Sequence, residues 1–311
     1  MDRFIVTSSP HIHSHASTKS IMRDVVIALI PTAVASIVLF GLKAALMILV
    51  CVASAITSEF FFNIICKKKQ TVGDYSAIIT GLLLALTLPA KTELWQCMLG
   101  SIFAIVVVKC LFGGLGKNFA NPAISARVFL LIAFSSLAGG SHTQFVEIAS
   151  GATPLDVIQG AEGELPTLFE MLIGNRSGSI GEGCAIALII GFIYLLVRKI
   201  ISWHIPVVYV ATVFALSFIY TGEITIAFYE ILGGGLLLGA IFMATDYVTS
   251  PTGRIAKTVF ALGCGIITFL IRFFGSYPEG VSFAILFMNI LSPYVDKIRY
   301  IKPLGGVKNV K

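Results

Sequence analysis

Charge is what this sequence has least of. Only 12% of its 311 residues are Asp, Glu, Lys or Arg, while 57% are hydrophobic, and the mean hydropathy is +0.93. A soluble domain carries roughly 25% charged residues, so a chain this long and this apolar has too few polar groups to cover a surface facing water. The charges it has are bunched, with long uncharged stretches between them, as helices in lipid require. Paired cysteines are lacking as well. The six cysteines are Cys51, Cys66, Cys97, Cys110, Cys184 and Cys264, and no two stand in a Cys-x-x-Cys spacing. That favours small buried hydrophobes over a metal or cluster site. No cleavable leader is visible either: residues 1–20 are polar and the first apolar stretch is too long for a signal core, so that stretch is expected to stay as an anchor.

What is present is a series of ten apolar segments, at 22–41, 43–65, 75–89, 94–112, 122–138, 183–201, 204–220, 226–245, 255–274 and 281–298. They predict an all-α integral membrane protein with about ten transmembrane helices. The third and fifth fall short of the ~20 residues a full crossing needs, so each is expected to be tilted, broken or extended by less apolar turns. With the N-terminus in the cytoplasm, 18 of the 22 basic residues fall on the inner side, and only Lys43, Lys91, Arg176 and Arg272 fall outside. Both termini are therefore expected to be cytoplasmic, in a cell (inner) membrane. The same bias accounts for the net charge of +6 without nucleic acid as a partner.

The resulting plan is a cytoplasmic arm (1–21), a first half of five helices (22–138), an extracytoplasmic loop (139–182), a second half of five helices (183–298) and a cytoplasmic tail (299–311). The loop is acidic, with Glu147, Asp156, Glu162, Glu164, Glu170 and Glu182 against Arg176. Long loops between otherwise short connections are commonly functional. Gly81-Leu82-Leu83-Leu84 recurs as Gly235-Leu236-Leu237-Leu238, and Asn121-Pro122 is echoed by Tyr277-Pro278, at offsets of 154 and 156. Two halves of five spans would be an inverted repeat; chance recurrence of Gly-Leu runs is the equal alternative.

Within the loop, Ser150-Gly151-Ala152-Thr153-Pro154 is a polar turn on its residues alone: Gly frees the backbone, Pro fixes φ, and Ser and Thr can bond nearby backbone. The string Ser150-Gly151-Ala152-Thr153 also resembles the acceptor motif of the flavin transferase that moves FMN from FAD onto a threonine hydroxyl. That motif usually has Asp three residues before the Ser; this chain has Glu147 there. The resemblance implies a phosphoester-linked, covalent FMN on Thr153, and the exposed, flexible loop is expected to present that hydroxyl, with Arg176 a candidate cation for the added phosphate.

Further strings agree in order along the chain: Gly113-Gly114-Leu115-Gly116-Lys117-Asn118-Phe119-Ala120-Asn121-Pro122-Ala123 running into Ala126-Arg127-Val128-Phe129, then Gly178-Ser179-Ile180-Gly181-Glu182, Ala244-Thr245-Asp246, Tyr277-Pro278-Glu279-Gly280-Val281 and Met288-Asn289. Together they resemble the RnfD/NqrB family, whose two branches serve the Rnf complex and the Na⁺-translocating NADH:quinone reductase. The short N-terminal arm and its Ser8-Ser9-Pro10-His11 start are similar to the Rnf branch.

The Rnf resemblance implies a flavin-carrying electron-transfer subunit of an ion-translocating ferredoxin:NAD⁺ oxidoreductase, moving Na⁺ or H⁺ and not catalytic alone. Its implied partners are the outward-facing, FMN-bearing RnfG, the membrane proteins RnfA and RnfE, the flavin transferase and membrane lipid. It also implies that Asn118, Asn121 and Asp246 lie near a second, non-covalent riboflavin. Helix capping by the asparagines and snorkelling by Arg127 are the plainer roles. Arg272 and Glu279 flank the last outer turn, where an ion pair is at least as good a reading as a flavin contact. His11, His13 and His15 suit a solvated arm, and Gly233-Gly234-Gly235 suits close helix packing. The quinone-reductase branch and a secondary transporter with inverted repeats remain the alternatives.

Overall fold

The computed structural model describes residues 17–134, 153–161, 165–174, 176–275 and 280–298. Among these it is all-α, with one isolated bridge between Pro89 and Ser179. Helix α1, Thr18–Ile65, has 48 residues, roughly 72 Å at 1.5 Å per residue and more than twice the ~30 Å of a bilayer core. It is two spans in one. The chain turns at Gly41, whose φ of 70° and ψ of −156° suit a residue without Cβ, and the limbs 18–40 and 42–65 supply the first two apolar segments.

Eight more stretches follow: α2 (Ser76–Thr87), α3 (Leu94–Ile102, continuing as a π-helix over Phe103–Cys110), α4 (Pro122–Ala133), then α7 (Ala185–Val197), α8 (His204–Thr221), the pair α9 (Ile224–Leu232) and α10 (Leu236–Leu238, continuing as a π-helix over Gly239–Met243), α11 (Arg254–Phe274) and α12 (Val281–Val295). Between α4 and α7 lie two short helices, α5 (Pro154–Ile158) and α6 (Leu168–Ile173). The chain is a multi-pass membrane protein, with five apolar helical stretches before these short helices and five after; among the described residues α1, α8 and α11 are long and apolar enough to cross a bilayer, as is the bent pair α9–α10 taken together. Large apolar side chains stay exposed along the bundle exterior, Leu42 at 75% and Ile219 at 77%, where lipid replaces water as solvent.

The third and fifth segments are short for a physical reason. At 12 residues each, α2 and α4 measure about 18 Å. The path of α2 continues in extended chain, where the Leu88 carbonyl accepts from Ile180 N at 3.0 Å. Helix α2 packs tightly on α1: a methyl at Gly81 would lie 2.7 Å from the Cys51 carbonyl oxygen. Cys51, Cys97, Cys110 and Cys264 are buried among apolar neighbours, and Cys66 is exposed. The two sets of helices are stapled together where Arg198 Nη2 donates to Asp24 Oδ2 at 2.9 Å and Ser36 Oγ donates to the Ile180 carbonyl at 3.0 Å.

Gly233-Gly234-Gly235 is not a packing stripe within a helix. It breaks the eighth span, bending α9 against α10 by 60°, with Gly234 and Gly235 at φ of 59° and 67°. The two Gly-Leu-Leu-Leu strings consequently serve different geometries, since Gly81 sits inside α2 while Gly235 caps α10. Tyr277-Pro278 lies outside the described residues.

Candidate functional site

Thr153 is the N-cap of α5, with Pro154 at the first helical position, where its missing N–H costs nothing. The Thr153 hydroxyl donates to Asp156 Oδ2 at 2.8 Å and accepts from Asp156 N at 3.2 Å, while Thr153 N donates to the same carboxylate oxygen at 2.7 Å. This reciprocal pair is a capping box. The expected exposed hydroxyl is corrected by this arrangement: Thr153 is 8% exposed and Leu155 2%. The turn is held down because Leu155 seats against the break in the eighth span. Ser150, Gly151, Ala152 and Glu147 lie outside the described residues.

The break is held together by charge. Residues of α9 leave carbonyls without helical partners, and inside a membrane these must be satisfied by protein. Arg272 of α11, itself 2% exposed, donates through Nη1 to Glu230 Oε2 at 2.7 Å and the Glu230 carbonyl at 2.5 Å, and through Nη2 to the carbonyls of Gly233 at 3.1 Å and Gly234 at 3.3 Å. Arg176 Nη2 donates to the carbonyls of Glu182 at 3.1 Å and Leu232 at 2.5 Å. Burial pushes the Arg176 guanidinium down, with Glu182 opposing and Arg272 reinforcing the shift. Arg272 thus pairs with Glu230; Glu279 lies outside the described residues. Arg127 does not snorkel: it is 1% exposed, facing an interior gap that Glu182 and Gly235 also line.

A second polar constellation lies elsewhere in the bundle. Lys109 donates from Nζ to Glu59 Oε2 at 2.8 Å and to Ser76 Oγ at 2.6 Å, and all three groups are buried. Thr71 Oγ1 donates to Glu59 Oε1 at 2.5 Å, and Ser76 Oγ donates to Asp74 Oδ1 at 2.5 Å. Lys109 and Ser76 form one wall of a cavity of about 740 Å³, its open mouth included, that Asn118, Asn121 and Asp246 also line. The structure therefore brings together the three residues singled out for a second flavin.

Each of the three has a local role as well. Asn121 caps α4, accepting at Oδ1 from Ala123 N and Ile124 N, and donates from Nδ2 to the Met243 carbonyl at 3.4 Å. Asn118 Nδ2 donates to the Ala120 carbonyl at 3.0 Å. The Asp246 carboxylate accepts from Thr249 Oγ1 at 3.0 Å, and burial pushes its pKa up against that bond. Apolar walls with a few polar edge groups are the usual lining of a small-molecule site.

Sequence reasoning missed both buried ion pairs. Lys109 entered only as one of the 18 inner-side basic residues, and Arg272 was set beside Glu279 rather than Glu230. The available signal was Glu230 inside the apolar run Ile224-Thr225-Ile226-Ala227-Phe228-Tyr229-Glu230-Ile231-Leu232 and Lys109 directly after Val106-Val107-Val108, since an ionisable residue within a span needs an interior partner.

Comparison with known proteins covers nearly the whole chain. Residues 5–305 match the profile of the NQR2, RnfD, RnfE family. The D subunit of the Na⁺-translocating ferredoxin:NAD⁺ oxidoreductase complex of Acetobacterium woodii is 42% identical over 98% of this chain and 96% of its own length. The D subunit of the proton-translocating ferredoxin:NAD⁺ oxidoreductase complex of Clostridium ljungdahlii is 38% identical over 94% of each. The D subunit of an ion-translocating oxidoreductase complex of Halorhodospira halophila is 33% identical over 96% of this chain and 94% of its own length.

Proposed function

The chain belongs to the NQR2, RnfD, RnfE family, and from that premise we propose that it is the RnfD-type membrane electron-transfer component of an ion-translocating ferredoxin:NAD⁺ oxidoreductase, carrying FMN on Thr153. The observation that carries the proposal is end-to-end similarity to such proteins at 42% and 38% identity in a chain that keeps Ser150-Gly151-Ala152-Thr153. Bound there, FMN supplies the redox chemistry of its ring, while the protein sets position and electrostatics. Thr153 contributes its Oγ1 as the ester oxygen. Once esterified it no longer donates to Asp156, while the backbone donation from Thr153 N still anchors the turn. The coupling ion is Na⁺ or H⁺; one named relative moves each.

In this reading the loop 139–182 faces outward and both termini are cytoplasmic, on the 18-to-4 split of basic residues. Partners are the other subunits of the complex, including the outward-facing flavoprotein RnfG and the membrane proteins RnfA and RnfE, with a flavin transferase for maturation. The cavity beside Asn118, Asn121 and Asp246 holds a second, non-covalent flavin, with the asparagine amides and Asp246 at its polar edge.

Intact-mass measurement and in-gel flavin fluorescence test the attachment. The wild-type chain, produced with the transferase, gains the mass of one FMN; Thr153→Ala loses it completely while still assembling. Flavin on the Ala variant, or none on the wild type, removes Thr153 from the proposal.

A further inference from the structure

The turn that bears Thr153 is docked by two contacts that its own capping box does not need. Leu155 fills a notch that exists only because residues 233 and 234 lack side chains: a methyl at Gly234 would lie 2.5 Å from Leu155 Cδ1 and 2.5 Å from Arg272 Nη2, and one at Gly233 would lie 3.2 Å from Leu155 Cγ. One turn later, Gln159 Nε2 donates to the Arg272 carbonyl at 2.5 Å. The same Arg272 holds the break in the eighth span through its guanidinium. The neighbouring helix α6 has the same capping box, Thr167 with Glu170, and is seated through Met171, which is fully buried, while Leu168 and Phe169 remain exposed.

We propose that Leu155 and Gln159 are positioning residues that clamp the flavin-bearing turn onto the broken span, so that the ester oxygen of Thr153 is fixed relative to α9 and α11 rather than swinging on a free loop. The inference rests on Thr153 as the attachment point. A flexible tether would let the ring sample many positions, whereas a reacting group held in one geometry avoids that loss, and misplacement by about 1 Å can cost on the order of 100-fold in rate. The clamp has a corollary for maturation. Because Thr153 is buried when docked, the turn must open for the transferase to reach its hydroxyl.

The test uses the full chain, produced with the flavin transferase and reconstituted in lipid nanodiscs. Wild type, Leu155→Met, Gln159→Ala and the double variant Leu155→Ala/Gln159→Ala are compared. In-gel fluorescence reads attachment; iodide quenching and time-resolved anisotropy of the flavin read how firmly it is held. The double variant is expected to keep its covalent flavin, to be quenched at least about threefold more strongly because the turn opens locally, and to lose the slow anisotropy component. Leu155→Met, which still fills the notch, stays near wild type. Gln159→Ala, the mildest change, shifts in the same direction and carries the test if the double variant fails to accumulate. Wild-type quenching and anisotropy in the variants overturn the clamp, as does loss of the covalent flavin from them, which would assign these residues to attachment. A wild-type chain without flavin instead overturns the reading of Thr153 itself.

Discussion

Glu59–Lys109 and Glu230–Arg272 are both buried ion pairs, closed at 2.8 and 2.7 Å, but they do different work. Lys109, in the π-helical end of α3, places one compact charge between a carboxylate and a hydroxyl, joining helices without touching their backbone carbonyls. Arg272 spreads a planar fork over a carboxylate and three carbonyls that a broken helix leaves open. The comparison teaches that a buried pair in this fold is not interchangeable between sites. A lysine can neutralise a carboxylate, but only the guanidinium's rigid set of donors can also stand in for missing helix hydrogen bonds.

The largest effect that can break this comparison is expected at Arg272. Arg272→Ala leaves Glu230 uncompensated, a loss of about 3–5 kcal/mol, and orphans the Gly233 and Gly234 carbonyls at about 1–3 kcal/mol each. Arg272→Lys is expected to recover part of the first term and little of the second. Thermal unfolding of the detergent-solubilised chain ranks the variants. Arg272→Lys as stable as wild type would mean the fork is dispensable and the two pairs are alike.

Lys109→Met comes next, at about 3–5 kcal/mol for the stranded Glu59. Here, unlike at Arg272, removing both charges is expected to restore most of the loss, because no helix carbonyl depends on Lys109: Glu59→Gln/Lys109→Met should unfold within about 1–2 kcal/mol of wild type. A double variant no better than the single would show that Lys109 holds more than Glu59. The smallest expected change is Ser76→Ala, which removes one acceptor from Lys109 and costs about 1 kcal/mol. The same thermal assay detects it, and a loss as large as that of Lys109→Met would place the hydroxyl, not the carboxylate, at the centre of the network.

Much of the fold was legible in the sequence because hydropathy alone places spans. Among the described residues each of the ten apolar segments overlaps a helical stretch, with the joint at Gly41 and the short helices α2 and α4 where expected, while the eighth is broken at its glycines. What escaped was set by partners far along the chain. Glu230 and Arg272 are 42 residues apart and Glu59 and Lys109 50, so neither pair has a local spacing to betray it. Thr153 could be picked out by its short motif. Its burial could not, since that comes from Leu155 meeting glycines in another helix. The meeting of Asn118 and Asn121 with Asp246 in one cavity was likewise invisible to periodicity and entered through resemblance to a family.

The staple between Asp24 and Arg198 also dates the assembly of the molecule. The two residues are 174 positions apart, and a ribosome adding about 5–20 residues per second needs roughly 9–35 s to reach the second after the first. Through that interval the first helix lies in the membrane with a carboxylate whose eventual partner has not been made, near enough to the helix start to stay hydrated. The Ser36 hydroxyl has the Thr32 carbonyl of its own helix at 2.7 Å from the start and gains the Ile180 carbonyl only later. Closure of α1 thus comes in two stages: α2 can pack on it early, while its face toward α7 stays open until Arg198 is made, so a nascent chain arrested before α7 carries an open seam along α1.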